Sequence, residues 1–178
     1  MSVYTATVKV YCVLHLVFAA LTDMIPVIPE QYLFGFQIFL NDQVNAISAI
    51  DLMERPATKS VAHLSWFHSM LIFEILFQVP VLILILMSLS GAKNGGKSNS
   101  LYKYRHLLQV IYGTHVATTM IPVLGYIYSV IHTVPLYNQV MLALMYVPFA
   151  AMPLIMAVVG TNNLLAQIDS SGRQKKRN

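Results

Sequence analysis

The sequence predicts an all-α protein, a four-helix bundle that crosses a bilayer four times, and three observations predict it. The 178 residues are 57% hydrophobic and only 10% charged, with a mean hydropathy of +0.63, whereas a soluble domain carries roughly a quarter charged residues. The apolar residues gather into four stretches, each close to or above the ~20 residues that span ~30 Å of hydrocarbon as a helix. The basic residues fall almost wholly on one side of the spans so defined. In hydrocarbon every backbone polar group must be satisfied internally, which leaves helices or a closed barrel, and the alternating strands of a barrel are missing. A net charge of +4 gathered at chain ends and in one loop is a topology signal, not a nucleic-acid footprint. The single cysteine, Cys12, excludes an internal disulfide.

The first span is expected over about 6–27, apolar apart from Lys9, His15 and Asp23. Its polarity at His15 and Asp23 and its lack of a basic leader argue against a cleavable signal peptide. Residues 28–63 form a long mixed connection in which QYLFGFQIFL and AISAIDLM suggest short amphipathic helices on the lumenal rim. The second span, about 64–89, is the cleanest, with VLILILM at its core. Residues 90–103 have the Gly/Ser/Asn-rich composition of a flexible loop. The third and fourth spans are expected over about 104–130 and 139–160, with a tail over 161–178, and one membrane domain accounts for the whole chain.

In a four-span chain the N-terminus, the middle loop and the tail share one side. That side holds Lys9, Lys93, Lys97, Lys103, Arg105, Arg173, Lys175, Lys176 and Arg177, and the other only Arg55 and Lys59 beside Glu30, Asp42, Asp51 and Glu54. The positive-inside bias therefore predicts that both termini are cytosolic. Lys175 and Lys176 then stand four and three positions from a cytosolic C-terminus, the spacing of a dilysine endoplasmic-reticulum retrieval signal. The alternative is a polybasic stop held by anionic headgroups.

An ionisable residue inside a span is expensive and marks a functional site by default. Glu74 is expected about 12 Å inside the second span at 1.5 Å per residue, with Gln78 one turn on along the same face. Pro80 follows and is expected to kink the helix. Asp23 lies near the lumenal end of the first span, so antiparallel packing would bring it level with Glu74. Two carboxyls so placed are expected to share a proton, suited to holding a protonated amine or donating to a substrate. The third span carries Tyr112, His115, Thr119, Pro122 and Tyr126 as one stripe at 3, 4, 3 and 4 spacing. Thr118 and Thr119 can bond their own i−4 carbonyls, and His115 can serve as interhelical glue. The fourth span carries Tyr146, Pro148, Phe149 and Pro153, and two prolines so close are expected to break the helix and leave room beside it. His15, eight residues before Asp23, either orients the acid or packs as a core histidine. An apolar cavity with a few convergent polar groups follows, and it favours a lipid or sterol.

His63 and His68 flank Trp66 at the interface, where an aromatic anchor belongs. Spacing along the chain implies no metal site and no cofactor, and no nucleophile elbow, phosphate loop or nucleic-acid signature is present.

Trp66-Phe67-His68-Ser69 leading into Phe73-Glu74-Ile75-Leu76-Phe77-Gln78-Val79-Pro80, then Ile111-Tyr112-Gly113-Thr114-His115 into Thr118-Thr119-Met120-Ile121-Pro122, then Tyr146-Val147-Pro148-Phe149 with Pro153, resembles the sigma-2 receptor (transmembrane protein 97) family. That family shares the EXPERA domain with emopamil-binding protein, a sterol isomerase. The His15-to-Asp23 spacing and the basic tail also match. The resemblance implies that Asp23 pairs with the amine of cationic ligands and that Glu74 hydrogen-bonds to it. The resemblance also implies that Gln78, Tyr112 and Thr119 line the pocket; His15, Met70 and Tyr146 are expected as further ligand-binding positions, and Phe149 stands where the relatives have tyrosine, so any hydroxyl contact there is expected to be lost. Asp51, Pro80, His115, Pro122 and Pro148 are expected to be structural. The resemblance further implies an endoplasmic-reticulum homodimer that binds cholesterol-like sterols and works beside sterol-transport membrane proteins.

Three functions compete at this point. The first is a non-enzymatic sterol and cationic-amphiphile binder. The second is a sterol double-bond isomerase with Glu74 as proton donor. The isomerase also uses a tryptophan and an amide on the fourth helix and a glutamate on the third; here the only tryptophan is Trp66, the third span has no carboxylate, and the fourth has no amide in its interior. The third is a membrane interaction protein or chaperone whose polar stripe is interhelical glue.

Overall fold

The computed structural model describes residues 2–55, 62–90 and 100–175. Lys59, Lys93, Lys97, Lys176 and Arg177, and with them half of the dilysine pair and the centre of the Gly/Ser-rich loop, lie outside the described residues. Among the described residues there are no strands, and four helices are long and apolar enough to cross a membrane: Val3–Val27, Ala62–Ser90, Ser100–Thr133 and Leu136–Ser171. Each of the four expected spans coincides with one of these helices, the first three within about four residues at each end and the fourth running well past its expected end.

Helix α1, Val3–Phe18, starts at Ser2, whose Oγ accepts from the Thr5 N–H at 3.2 Å, satisfying one of the donors that a helix start leaves without a partner. It does not end where its α geometry ends. Ala19–Asp23 forms one turn of π-helix, closed by the Met24 N–H on the Ala19 carbonyl, and Pro26 then stands in a short 3₁₀ turn, Ile25–Val27. A turn at Glu30–Tyr32 leads to α2, Gly35–Ser48. The sequence suggested two amphipathic helices in this connection, but AISAIDLM does not form the second. The chain reverses at Ala49, whose φ of 55° closes α2 in the left-handed region. Arg55 staples the rim: its guanidinium donates to Glu30 Oε1 and Asp42 Oδ1, both at 3.0 Å.

The second span is α3, Ser65–Phe73, a π turn at Glu74–Gln78 and α4, Val79–Ser90. The wide turn closes with the Val79 N–H on the Glu74 carbonyl and ends immediately before Pro80, which has no N–H to donate. The disturbance expected at Pro80 is therefore accommodated as an inserted residue. The third span is α5, Arg105–Val130, and the fourth is α6, Leu136–Lys175.

Pro122 lies inside α5, and Pro148 and Pro153 lie inside α6, with helical geometry throughout. The expected break in the fourth helix does not occur, because an interior proline costs one hydrogen bond that packed neighbours can make good. Nor does α6 stop at Gly160: it runs on through most of the expected tail.

α5 and α6 pack at close range. A Cβ on Gly113 would stand 2.3 Å from the Pro153 carbonyl oxygen and 2.6 Å from the Ala157 nitrogen, and one on Gly160 would meet the His106 carbonyl oxygen at 3.1 Å. Small residues permit this in a bilayer, where association relies on van der Waals contact. Two apolar clusters result. One joins Val8, Cys12, Leu82, Ile85, Tyr112 and Met156; the other joins Leu52, Leu64, Phe67, Val123 and Leu142 beneath the 28–55 connection. Large apolar side chains such as Leu76, Ile121, Leu144 and Val158 point outward, as lipid-facing residues do.

Candidate ligand cavity

A cavity of about 450 Å³ is lined by residues of all four spans and of the 28–55 connection, within the ~300–1,000 Å³ of small-molecule sites. Its walls are mainly apolar: Leu14, Phe18, Val44, Met53, Phe67, Met70, Leu71, Val116, Met120, Val123, Leu144, Met145, Pro148 and Phe149. The polar groups that face it are Tyr11, His15, Thr22, Asp23, Glu74, Gln78, Thr119 and Tyr146. Leu14, Phe18 and Leu144 line the cavity and are also 50%, 45% and 65% exposed. They form a mouth between the first and fourth spans, at the level of the lipid-facing surface.

His15 organises the polar wall. Only 4% exposed, it places Nε2 2.7 Å from Glu74 Oε1 and Nδ1 2.7 Å from the Tyr112 hydroxyl. The Tyr11 hydroxyl lies 3.1 Å from both that nitrogen and the Tyr112 hydroxyl. Asp23 Oδ1 accepts from Thr22 Oγ1 at 2.9 Å. The direct Asp23–Glu74 hydrogen bond expected from the sequence is replaced by this arrangement. His15 bonds Glu74, Thr22 bonds Asp23, and one ring nitrogen of His15 and one carboxylate oxygen each of Asp23 and Glu74 lie within 4.8 Å of one another. The carboxyls stand at corresponding points, Asp23 closing one π turn and Glu74 opening the other. π turns are rare and recur at functional sites.

Of the expected ligand-binding positions, Asp23, Glu74, Gln78, Thr119, Phe149, His15, Met70 and Tyr146 line the cavity. Tyr112 stands one layer behind, fully buried, with its hydroxyl 2.7 Å from His15 Nδ1. Phe149 packs edge-on against His15, with ring centroids 5.2 Å apart, and against Phe18 at 5.6 Å. The third-span stripe does not enter the cavity as a unit. His115 and Pro122 fall about 60–80° behind Tyr112 on the wheel; His115 packs against Phe73 and Phe77, and Pro122 is exposed. Thr118 bonds its i−4 carbonyl as expected, whereas Thr119 bonds Val116, three residues back. Pro80 also lies off the cavity, and Pro148 on it.

Asp51 ties the rim to two spans. It accepts from the Tyr126 hydroxyl at 2.5 Å, and its other oxygen lies 2.8 Å from His63 Nε2. Burial alone would raise its pKa, but the hydrogen bonds from Tyr126 and His63 outweigh burial and hold it below the usual 3.8.

Sequence reasoning missed Tyr11, Phe18 and Thr22. A signal was available, since Tyr11, His15, Phe18 and Thr22 repeat at 4, 3 and 4 on one helix face. Val44 and Met53 reach the cavity from the rim connection and carried no signal. Spacing along the chain also passed over the His15–Asp23–Glu74 group, because its members come from two spans.

Four helices long and apolar enough to cross a membrane, packed around a mainly apolar cavity with two acids on its wall, define a multi-pass membrane protein. Residues 51–160 match the family described as EXPERA, the expanded EBP superfamily. The chain belongs to that family. No curated protein matches the chain. Glu74, Gln78, Thr119 and Phe149 lie within the matched region; His15 and Asp23 come from the first span, outside it.

Proposed function

We propose that the protein binds sterols and cationic amphiphiles in this cavity and acts in sterol homeostasis or trafficking at the endoplasmic reticulum, in the manner of the sigma-2 receptor family. The observation that carries the reading is the pairing of an apolar chamber, open at lipid level, with two carboxyls on its wall. A fused-ring or long-chain body fills the apolar walls, and a protonated amine reaches Asp23. A charge-assisted contact in a site shielded from water is stronger than its exposed counterpart. In this reading both termini face the cytosol, the charge asymmetry supporting it, and the protein works as a homodimer retrieved through Lys175 and Lys176.

The test is binding of a labelled cationic sterol mimic to the purified protein. Asp23→Asn abolishes binding and Glu74→Gln weakens it; unchanged binding in both variants refutes the assignment.

One observation favours a second reading. The His15–Glu74 pair is a proton-transfer pair facing the chamber, as a sterol double-bond isomerase needs. Expression in cells lacking that isomerase, with sterol intermediates measured, decides it: restored conversion establishes catalysis and unrelieved accumulation excludes it.

A further inference from the structure

We propose that His15, Asp23 and Glu74 form a binding site for one divalent transition-metal ion, zinc being the best match. Each offers one ligand atom, and the three atoms lie within 4.8 Å of one another. Three points so spaced share a centre no more than about 2.8 Å from any of them, so shifts on the order of 1 Å, closing the longer separations and opening the short His15–Glu74 one, bring all three to the ~2.0–2.2 Å of zinc–nitrogen and zinc–oxygen bonds. The adjoining cavity leaves the fourth position of a tetrahedral site open to water or to a ligand, the arrangement of zinc sites with three protein donors.

The surroundings suit a metal in two further ways. A metal-bound histidine donates its second ring N–H to a fixed acceptor, and Nδ1 of His15 lies 2.7 Å from the buried Tyr112 hydroxyl. Tyr112 can then pass its own proton toward Tyr11, 3.1 Å away, so the hydroxyl pair supports the tautomer whose Nε2 lone pair faces the carboxyls. The second concerns charge. Two carboxylates on an apolar wall are costly alone; a divalent cation brings the cluster to neutrality without a proton. The nitrogen–oxygen contact of 2.7 Å between His15 and Glu74 opens by a small side-chain rotation. Histidine with two carboxylates is a donor set for zinc, not for the all-oxygen sites of calcium or magnesium.

The site coincides with the proposed amine site, so zinc and a cationic amphiphile exclude one another, but the metal inference stands on its own geometry. The probe is zinc alone. Full-length protein in detergent is dialysed against buffered free zinc, and bound metal is counted per chain. One equivalent is expected for the wild type. His15→Ala and Asp23→Asn lose it, Tyr112→Phe weakens it about 10- to 100-fold as a supporting contact does, and His63→Ala, on the lumenal rim, retains it. X-ray absorption of the wild-type complex needs no variant and should show one imidazole with oxygen donors. Substoichiometric zinc, a sulfur ligand, a second imidazole, or zinc retained in the His15→Ala/Asp23→Asn double variant overturns the proposal. Displacement of a labelled cationic amphiphile by zinc, reversed by chelator, is expected as well. If the wild type fails to bind that amphiphile, the amine reading falls while the metal count still decides this one.

Discussion

Replacing Gly113 by alanine tests how closely the third and fourth spans must meet to hold the site. The added Cβ would stand 2.3 Å from the Pro153 carbonyl oxygen, 2.6 Å from the Ala157 nitrogen and 3.1 Å from the Ala157 Cα. These are backbone atoms of α6, so no side chain can swing away, and the helices must part locally by about 1 Å to restore ordinary contact. Overpacking of this kind costs about 1–3 kcal/mol, and backbone partners put it near the upper end. Alanine recovers up to about 1 kcal/mol through helix propensity, which leaves a net loss of about 1–2 kcal/mol. In a chain of this length that lowers the melting temperature by about 2–8 °C. Gly125 is the control: a Cβ there meets nothing within 4 Å, so Gly125→Ala should be neutral or stabilising. Thermal unfolding in detergent, followed by circular dichroism, measures both. A Gly113→Ala protein that melts at or above the wild-type temperature would refute the close-packing argument.

Two smaller predictions concern the rim. Ala49 holds a φ of 55°, a conformation that costs an L-residue about 1–2 kcal/mol; Ala49→Gly removes that cost against an entropic loss of about 0.5–1 kcal/mol, so melting should rise by a degree or two, and a fall would show that the Ala49 side chain contributes more than its backbone strain. Asp51, with its pKa held below 3.8 in the folded protein, contributes stability that is present above its unfolded value and lost as pH falls through the folded one, because the unfolded chain then binds more protons. Melting should therefore drop as pH goes below about 4, and Tyr126→Phe, which deletes one of the two side-chain bonds to Asp51, should shrink that drop; superimposable pH profiles would show that Tyr126 does not set the carboxyl's affinity for protons.

The spans were legible because hydrocarbon imposes length and composition on any helix that crosses it. Their ends were less so. The fourth helix was expected to stop at about Gly160, yet a helix that leaves a bilayer has no reason to unwind in water if its sequence still favours it. Pro148 and Pro153 were read as breaks on the strength of their chemistry in isolation, and the packing of α5 against α6 overrides it. The acids could be found from sequence, since Asp23 and Glu74 stand where charge is expensive. Their bonding could not. The His15–Glu74 contact joins residues 59 apart, and it depends on how far each helix is rotated, which a π turn alters by a whole residue without a sequence signature. Val44 and Met53 reach the cavity through the path of the rim connection, which hydrophobic periodicity does not encode.

Both π turns border the cavity. Each inserts one residue into a continuous span, so side chains before the turn keep one register while those after it take another. In the second span this lets Phe67, Met70, Leu71 and Glu74 face the chamber on one register, with Gln78 entering it from the far end of the turn. In the first span Tyr11, Leu14, His15 and Phe18 face it from α1, and Thr22 and Asp23 continue from the turn. The two carboxyls come together on different spans, with the His15 imidazole bonded to Glu74 and a tyrosine pair behind it. The apolar walls supply affinity without direction, and this cluster supplies direction. Holding both in one chamber requires acids in a place that disfavours them, and His15, buried and bonded at both ring nitrogens, is the residue that makes this tolerable.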